Sequence, residues 1–467
     1  VFLFSASMVC GVLLFLSILP LKFLSIILIA SIILATIFGI FVFCKKAGHI
    51  AKAIIAVIEA IFAVGYFILF FFLNSNLNLI AALQSGGYQT EEFYVVSLKD
   101  AEFNSITNLD GHNIATYTNN SETYASALKD LGKQTTATII NYNDIIDASG
   151  ALLDTTVDAV LINGAMYEIV DEILPDFSTE KTKIVHTITI KTAIAPTTTR
   201  DLNISEDSFN LLISGIDTRG DVSTVSRSDV NMIVSVNPRT GKILLTSIPR
   251  DYYVQLHNVN GIRDKLTHSG LYGVNMTVET LEDLFGIEID YYLRLNFDST
   301  EKIINAVGGI DITPDTTFKA AHNTEKRTCY FTAYETIHVD GACGLAYART
   351  RKAYSDGDFH RILNQQEVLV GIIDKLISSR SYSAYTNFLS VAKGSIETNI
   401  PNSQIYKLIN LQLDKNPSWH IDRISVGGTS TKDYTYTVYN EITYVVEPDM
   451  DSVRSATAQI NALLEAN

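Results

Sequence analysis

Positive charge is scarce in this 467-residue chain: 35 Lys and Arg stand against 50 Asp and Glu, giving a formal net charge of −15 at pH 7. Nucleic-acid affinity comes mostly from Lys and Arg neutralising backbone phosphates, and there is no basic stripe, zinc finger or aromatic RNA platform, so nucleic acid is excluded as a partner. Cysteine is scarce too. The four present make no CxxC and no Cys/His set at zinc spacing. Cys10 and Cys44 fall in apolar sequence, whereas Cys329 and Cys343 flank a β-like segment and an Asp-Gly turn. A disulfide is open to that second pair if the region is exported. A glycine-rich phosphate loop is missing, and no Ser, Cys or His stands out as a nucleophile.

Charged residues amount to only 18%, and mean hydropathy is +0.19, too apolar for an ordinary soluble protein. Nearly all of the excess lies in the first eighty positions. Apolar runs cover 1–19, 23–44 and 54–73, each close to the ~20 residues that cross a hydrocarbon layer of ~30 Å. The expectation is three transmembrane helices. Lys45, Lys46 and Lys52 with no acidic residue between the second and third runs place that loop in the cytoplasm and everything from about residue 75 onward outside. Because the chain opens on Val1 rather than Met, part of the N-terminus is expected to be missing.

The remainder reads as two α/β units, at 80–200 and 201–467. In the first, short apolar strands such as FYVVSL, NIATYT and AVLING alternate with helix-like pieces such as SETYASALKDLG, the pattern of a small α/β accessory domain with no evident chemistry. A threonine-rich stretch with Pro196, at 191–202, is the expected linker.

The chemistry gathers at 210–251. An apolar run ends in Gly215 and Asp217, a polar loop carries Arg219, Arg227 and Asp229, and two β-branched runs follow, joined by a turn at Asn237, Pro238 and Gly241. Two such runs form a hairpin, so Asp229, which opens one strand, must neighbour Arg250 and Asp251, which close its partner. Acidic pairs attract a hard cation such as Mg²⁺, with Mn²⁺ as an alternative, while arginine forks match phosphate oxygens. Together they point to a metal-bridged phosphate or pyrophosphate, although a salt-bridge network accounts for this stretch equally well. Further on, Lys265 and His268 return toward the same edge. Asp340 can cap a short helix that must end near Arg349 if Arg349 and Arg351 are to converge. In the next helix Asp358, Arg361 and Gln365 share a face beside an apolar stripe.

The blocks SGIDTRGD, SRSDVNMIVSVNP, SIPRD, GIRDKLTHS, AVGGIDI, HVDGACGLAYARTRK and DGDFHRILNQQ occur in an order and spacing that resemble the LytR-CpsA-Psr (LCP) family, over about 210–376. Three apolar runs followed by an extra domain look most like its CpsA branch, associated with capsule polysaccharide. The resemblance implies a layered α-β-α catalytic domain and a membrane-anchored phosphotransferase. Such an enzyme moves a glycan from undecaprenyl pyrophosphate to peptidoglycan and leaves the lipid as its phosphate. It further implies that Asp217 and Asp229 hold Mg²⁺. Arg227, Arg250, Arg349, Arg351 and Arg361 would grip the pyrophosphate, with Lys265 and Gln365 completing the head-group site. Arg219 belongs to the same loop, and Asp251 and Asp358 would orient the arginines. Asn364 departs from the family, which often has an arginine there. The polyprenyl tail would need an apolar tunnel, for which the helices at 277–284, 299–307 and 362–377 are candidates.

Asp229, Asp217 and His268 all remain open as the general base. Expected partners are the lipid-linked glycan, peptidoglycan and membrane lipids, with other capsule-synthesis proteins as further candidates. Two other functions stay open, a polyprenyl pyrophosphate phosphatase and a non-catalytic lipid-glycan sensor.

Overall fold

The computed structural model describes residues 88–194, 200–216, 218, 221–322, 327–354, 358–379, 382–439 and 441–466, together with separate positions between 26 and 67. The expectation of three membrane-spanning helices is corrected here: among the described residues no helix is long and apolar enough to cross a membrane. The run at 1–19 lies outside the described residues. The runs at 23–44 and 54–73 are described only at scattered helical positions, and the longest described helical piece nearby, 49–54, contains Lys52.

The first sheet contains strands β1 (Tyr88–Leu98), β2 (Asn113–Tyr117), β3 (Thr138–Tyr142), β4 (Ala159–Asn163) and β5 (Thr182–Ala193), in the order β3-β2-β4-β1-β5. Helices α1 (Glu122–Gln134), α2 (Ile145–Leu153) and α3 (Tyr167–Ile173) lie between them. Of the inner strands, β4 and the second half of β1 read as near-continuous apolar runs because they are covered, and Phe93, Val95, Val160, Leu161 and Ile162 are all fully buried. Strand β5 alternates apolar and polar residues up to Ala193, pairing with β1 along its whole length. The first residues of the expected linker are therefore strand.

The second sheet contains β6 (Phe209–Ile216), β7 (Ser228–Asn237), β8 (Lys242–Ile248), β9 (Tyr291–Asn296), β10 (Ile396–Thr398) and β11 (His420–Ser425), in the order β10-β9-β6-β7-β8-β11. Strands β6, β7 and β8 run antiparallel, while β9 and β11 join them in parallel through helical crossovers. Period-2 alternation divides the strand residues between two faces. Leu212, Ile233 and Leu244 face helices α5 (Val274–Phe285) and α11 (Met450–Glu465), which follows α4 to α10 given below. Ile213, Met232, Val234 and Leu245 face Leu369 and Ile373 of α8 (Asp358–Ser378) and Leu408 of α10 (Asn402–Asp414). The sheet is thus covered on both sides. The remaining helices are α4 (Leu266–Ser269), α6 (Phe297–Ala306), α7 (Gly341–Arg349) and α9 (Tyr382–Ala392).

Asp340 caps α7 by accepting from the Cys343 backbone N–H at 3.1 Å. Cys343 is disulfide-bonded to Cys329, which tethers α7 to the ribbon formed by Phe318–His322 and Arg327–Phe331. At the other edge, Arg294 of β9 and Glu397 of β10 form an ion pair of 3.2 Å with both side chains almost wholly buried. Burial pushes the Glu397 carboxyl above its ordinary range, against the pull of Arg294. The Arg294 Nη2 also donates to the Thr224 carbonyl at 2.6 Å and so holds the loop that leads into β7.

Deleting one member of such a pair strands the other charge in a dry interior, which costs about 3–5 kcal/mol. Glu397→Ala is therefore expected to lower the unfolding free energy obtained from urea titration by that amount, and a loss below about 1 kcal/mol would show that water or another group compensates the guanidinium.

Candidate functional site

Strand register brings the first site residues together. Asn231 of β7 lies opposite Ile248 of β8, so continuing two residues past each reaches Asp229 and Arg250 at the same sheet edge. There the Arg250 Nη1 donates to Asp229 Oδ2 at 2.6 Å. Thr267 Oγ1 donates to the other carboxylate oxygen at 2.8 Å. Thr267 is itself positioned by the backbone, since its N–H donates to the Arg250 carbonyl and that of Leu266 to the Tyr252 carbonyl, both at 2.8 Å. Asp229 is only 9% exposed, so these donors, rather than water, satisfy it. Asp251 Oδ2 lies 3.5 Å from the Arg250 Nε.

Two glycines permit the close approach. A Cβ on Gly215 would come within 2.7 Å of Val230, and one on Gly270 within 2.5 Å of the Ser226 carbonyl and 2.7 Å of the Ser228 nitrogen. Gly270 thereby lets the segment carrying Thr267 and His268 lie directly on the Arg227–Asp229 backbone.

His268 is buried, and its Nδ1 sits 2.6 Å from Asp264 Oδ1. The Asp264 Oδ2 accepts from the Thr437 N–H at 3.0 Å and from the Thr437 hydroxyl. Lys265, next in sequence, is also buried. Arg227 reaches in another direction, toward the first unit: its Nη1 donates to Glu172 at 3.0 Å and its Nη2 to Glu168, both on α3. Burial would lower its pKa, but the charges of Asp229, Glu168 and Glu172 outweigh this and raise it. Arg227 is thus committed to a link between the two units.

Beside Asp229 lies an apolar cavity of about 100 Å³ between the sheet and helices α6, α7 and α8. Ile213, Met232, Leu345, Leu369 and Ile372 wall it, and Asp229, Arg349 and Gln365 belong to the same lining. Of the three expected tunnel helices, those at 299–307 and 362–377 overlap elements that line this cavity, whereas α5 packs on the opposite face of the sheet. Arg349 is the last residue of α7, and its guanidinium lies over the Phe297 ring at 3.9 Å. It also joins exposed Arg351 and Lys352 in an open cleft of about 520 Å³. Arg361 is buried on α8, one turn before Gln365. Asn364 is a structural amide, with Nδ2 donating to the Tyr347 carbonyl at 3.2 Å and Oδ1 accepting from Tyr354 at 3.4 Å. Asp217 and Arg219 lie outside the described residues, as does the side chain of Asp358.

Among the described residues no group of three or more His, Cys, Asp or Glu could hold a metal ion. Mg²⁺ needs no such group, because it takes one or two carboxylates and completes its shell with phosphate oxygens and water. Each Asp229 oxygen accepts one described bond and has a second lone pair, so this carboxylate suits such a role.

Sequence reading missed Thr267, Asp264, Thr437, Glu168 and Glu172. The spacing of Glu168 and Glu172, four apart on one helix face, was the available signal for a shared cationic partner.

The LytR_cpsA_psr family model matches residues 177–459. A protein of Bacillus cereus (strain AH820) named polyisoprenyl-teichoic acid–peptidoglycan teichoic acid transferase TagU is 33% identical over 201 residues, covering 43% of this chain and 63% of that relative. The chain thus matches under two thirds of that relative's length. The TagU of Bacillus subtilis (strain 168) is 30% identical over 272 residues, 57% of this chain and 82% of the relative. Among solved structures, B. subtilis TagV is similar with a TM-score of 0.47 and 28% identity, over 56% of this chain and 99% of that one.

Thr267→Val removes a hydrogen bond to a buried charge and is expected to cost about 1.5–3 kcal/mol in urea unfolding. Glu168→Gln combined with Glu172→Gln, acting at half-exposed positions, is expected to cost about 1 kcal/mol or less. The reverse ranking would mean that the link to α3, and not the Thr267 hydroxyl, supports the loop.

Proposed function

The chain belongs to the LytR_cpsA_psr family, and on that premise we propose that it is a transferase that moves a glycopolymer from a polyisoprenyl pyrophosphate carrier, undecaprenyl pyrophosphate, to peptidoglycan. The names of its TagU relatives support the reaction class. The observation that carries the reading is the Asp229–Arg250 pair beside an apolar cavity that also has Arg349 and Gln365 on its lining. A diphosphate with a hydrocarbon tail asks for that combination, guanidinium and amide donors for its oxygens and a dry apolar wall for its chain. The Cys329–Cys343 bridge supports action outside the reducing cytoplasm, at the cell wall.

In the proposed reaction an acceptor sugar hydroxyl attacks the phosphorus attached to the glycan. A new phosphodiester O–P bond forms as the bridging P–O bond of the pyrophosphate breaks, and polyprenyl phosphate departs with the bridging oxygen. The hydroxyl proton passes to a base, for which Asp229, Asp217 and His268 are the candidates. Negative charge grows on the departing phosphate, and Arg250, held rigid by Asp229 and Asp251, is positioned to meet it without reorganising. Arg349 and Gln365 would bind further phosphate oxygens, and Arg227 would act by positioning the Asp229 loop. Mg²⁺, held by Asp229 and Asp217, would neutralise pyrophosphate charge.

The test is to incubate the protein with Mg²⁺ and a short-chain polyprenyl pyrophosphate glycan, with and without peptidoglycan, and to measure released polyprenyl phosphate and wall-linked glycan. Arg250→Ala is expected to lower transfer by roughly 10²–10³-fold, and chelation of divalent metal to abolish it. Full transfer by both Arg250→Ala and Asp229→Ala would overturn the proposal.

A further inference from the structure

A second cavity, of about 550 Å³, lies between the first sheet and the segment that follows strand Gly428–Tyr434. Its size is within the ~300–1,000 Å³ typical of small-molecule sites. One wall comes from the first unit, with Glu91 on β1 and the amides Asn119, Asn143 and Asn163. The other carries Tyr272, Tyr436 and Tyr439, which are 43%, 42% and 51% exposed. The rings of Tyr272 and Tyr436 stand 6.3 Å apart at 51°.

This wall is held in place by polar contacts. The Tyr439 hydroxyl donates to Asp144 Oδ2 at 3.0 Å, while Asp144 Oδ1 caps α2 by accepting from the Ile146 and Asp147 N–H groups at 2.8 Å. Glu91 accepts from Thr123 at 2.9 Å and from Asn163 at 3.3 Å, and burial pushes its carboxyl above the usual range despite those bonds. Among the described residues no Lys or Arg lines the cleft, and Glu91 and Asp144 give it acidic character. A phosphate-rich polymer would be repelled. A pyranose ring is different: its C–H face packs on the electron-rich face of an aromatic ring, and its hydroxyls pair with amides and carboxylates. Thr437 lines the same cleft, and its N–H and hydroxyl bind Asp264, the partner of His268.

We propose that this cleft binds an uncharged oligosaccharide segment, stacked on Tyr436 and Tyr439 and hydrogen-bonded by the Asn119, Asn143 and Glu91 side. The proposal rests on the transferase reading, because it supplies the site with a glycan. Two glycans of that chemistry are at hand in the reaction, the N-acetylated acceptor strand and neutral sugars of the donor.

Calorimetric titration of the full chain distinguishes them, using an N-acetylglucosamine hexamer, a glucose hexamer and poly(glycerol phosphate). Saturable binding of a neutral hexamer, weakened about tenfold by Tyr436→Ala and restored by Tyr436→Phe at an unchanged melting temperature, is the expected result. Preference for the N-acetylated hexamer assigns the cleft to the acceptor strand, and preference for the glucose hexamer to the donor glycan. The proposal is overturned if neither hexamer saturates by about 10 mM, if poly(glycerol phosphate) binds as tightly, or if Tyr436→Ala leaves the affinity unchanged. Arg250→Ala should retain the parent's oligosaccharide affinity. A parent protein that binds the hexamer but releases no polyprenyl phosphate would remove the transferase reading and leave the cleft assignment standing.

Discussion

A carboxylate that is 9% exposed cannot stay charged without partners, and the arrangement around Asp229 follows from that constraint. Arg250 and Thr267 meet its two oxygens, one at the end of the neighbouring strand and the other on a helix held to that strand end by backbone hydrogen bonds. The Thr267 segment depends on the close backbone approach that Gly270 permits, and Gly215 leaves room for the Val230 side chain next to Asp229. The same economy fixes Arg250, whose orientation is set by Asp229 and Asp251 before anything binds, as the proposed transition-state role requires.

Behind this polar edge the sheet turns apolar at once. Ile213 and Met232 line the cavity, and Asp229 is part of the same lining, so charge and hydrocarbon surface lie within one strand's length of each other. Low polarity beside an ion pair strengthens the pair's field at the edge. It also makes the adjoining space unattractive to water and suitable for an apolar chain.

Local rules made much of this geometry legible. Two β-branched runs and a Pro/Gly turn placed the β7–β8 hairpin, and through its register the contact of Asp229 with Arg250. The Asp340 cap and the end of α7 at Arg349 were legible for the same reason, since both depend on residues only a few positions apart. The Cys329–Cys343 pair was readable as an open option and is bonded. Contacts between distant parts of the chain were not legible. Arg227 looks like any loop arginine until α3, more than fifty residues earlier, presents two glutamates to it. Arg294 and Glu397, 103 positions apart, carry no local sign that they share a dry edge of the sheet. The expectation of three spans in the first eighty positions rested on composition alone, and among the described residues no helix is long and apolar enough to cross a membrane.

The link from Arg227 to Glu168 and Glu172, with that from Tyr439 to Asp144, makes the first unit a structural participant in the second. Trimming the protein back to about residue 200, to isolate a minimal enzyme, would not be a neutral cut. It would strip the counter-charges from a guanidinium two residues ahead of Asp229 and expose the buried surface around it to solvent. A property lost in such a fragment would report damage to the Asp229 edge, and would say nothing about whether the missing unit recruits a partner.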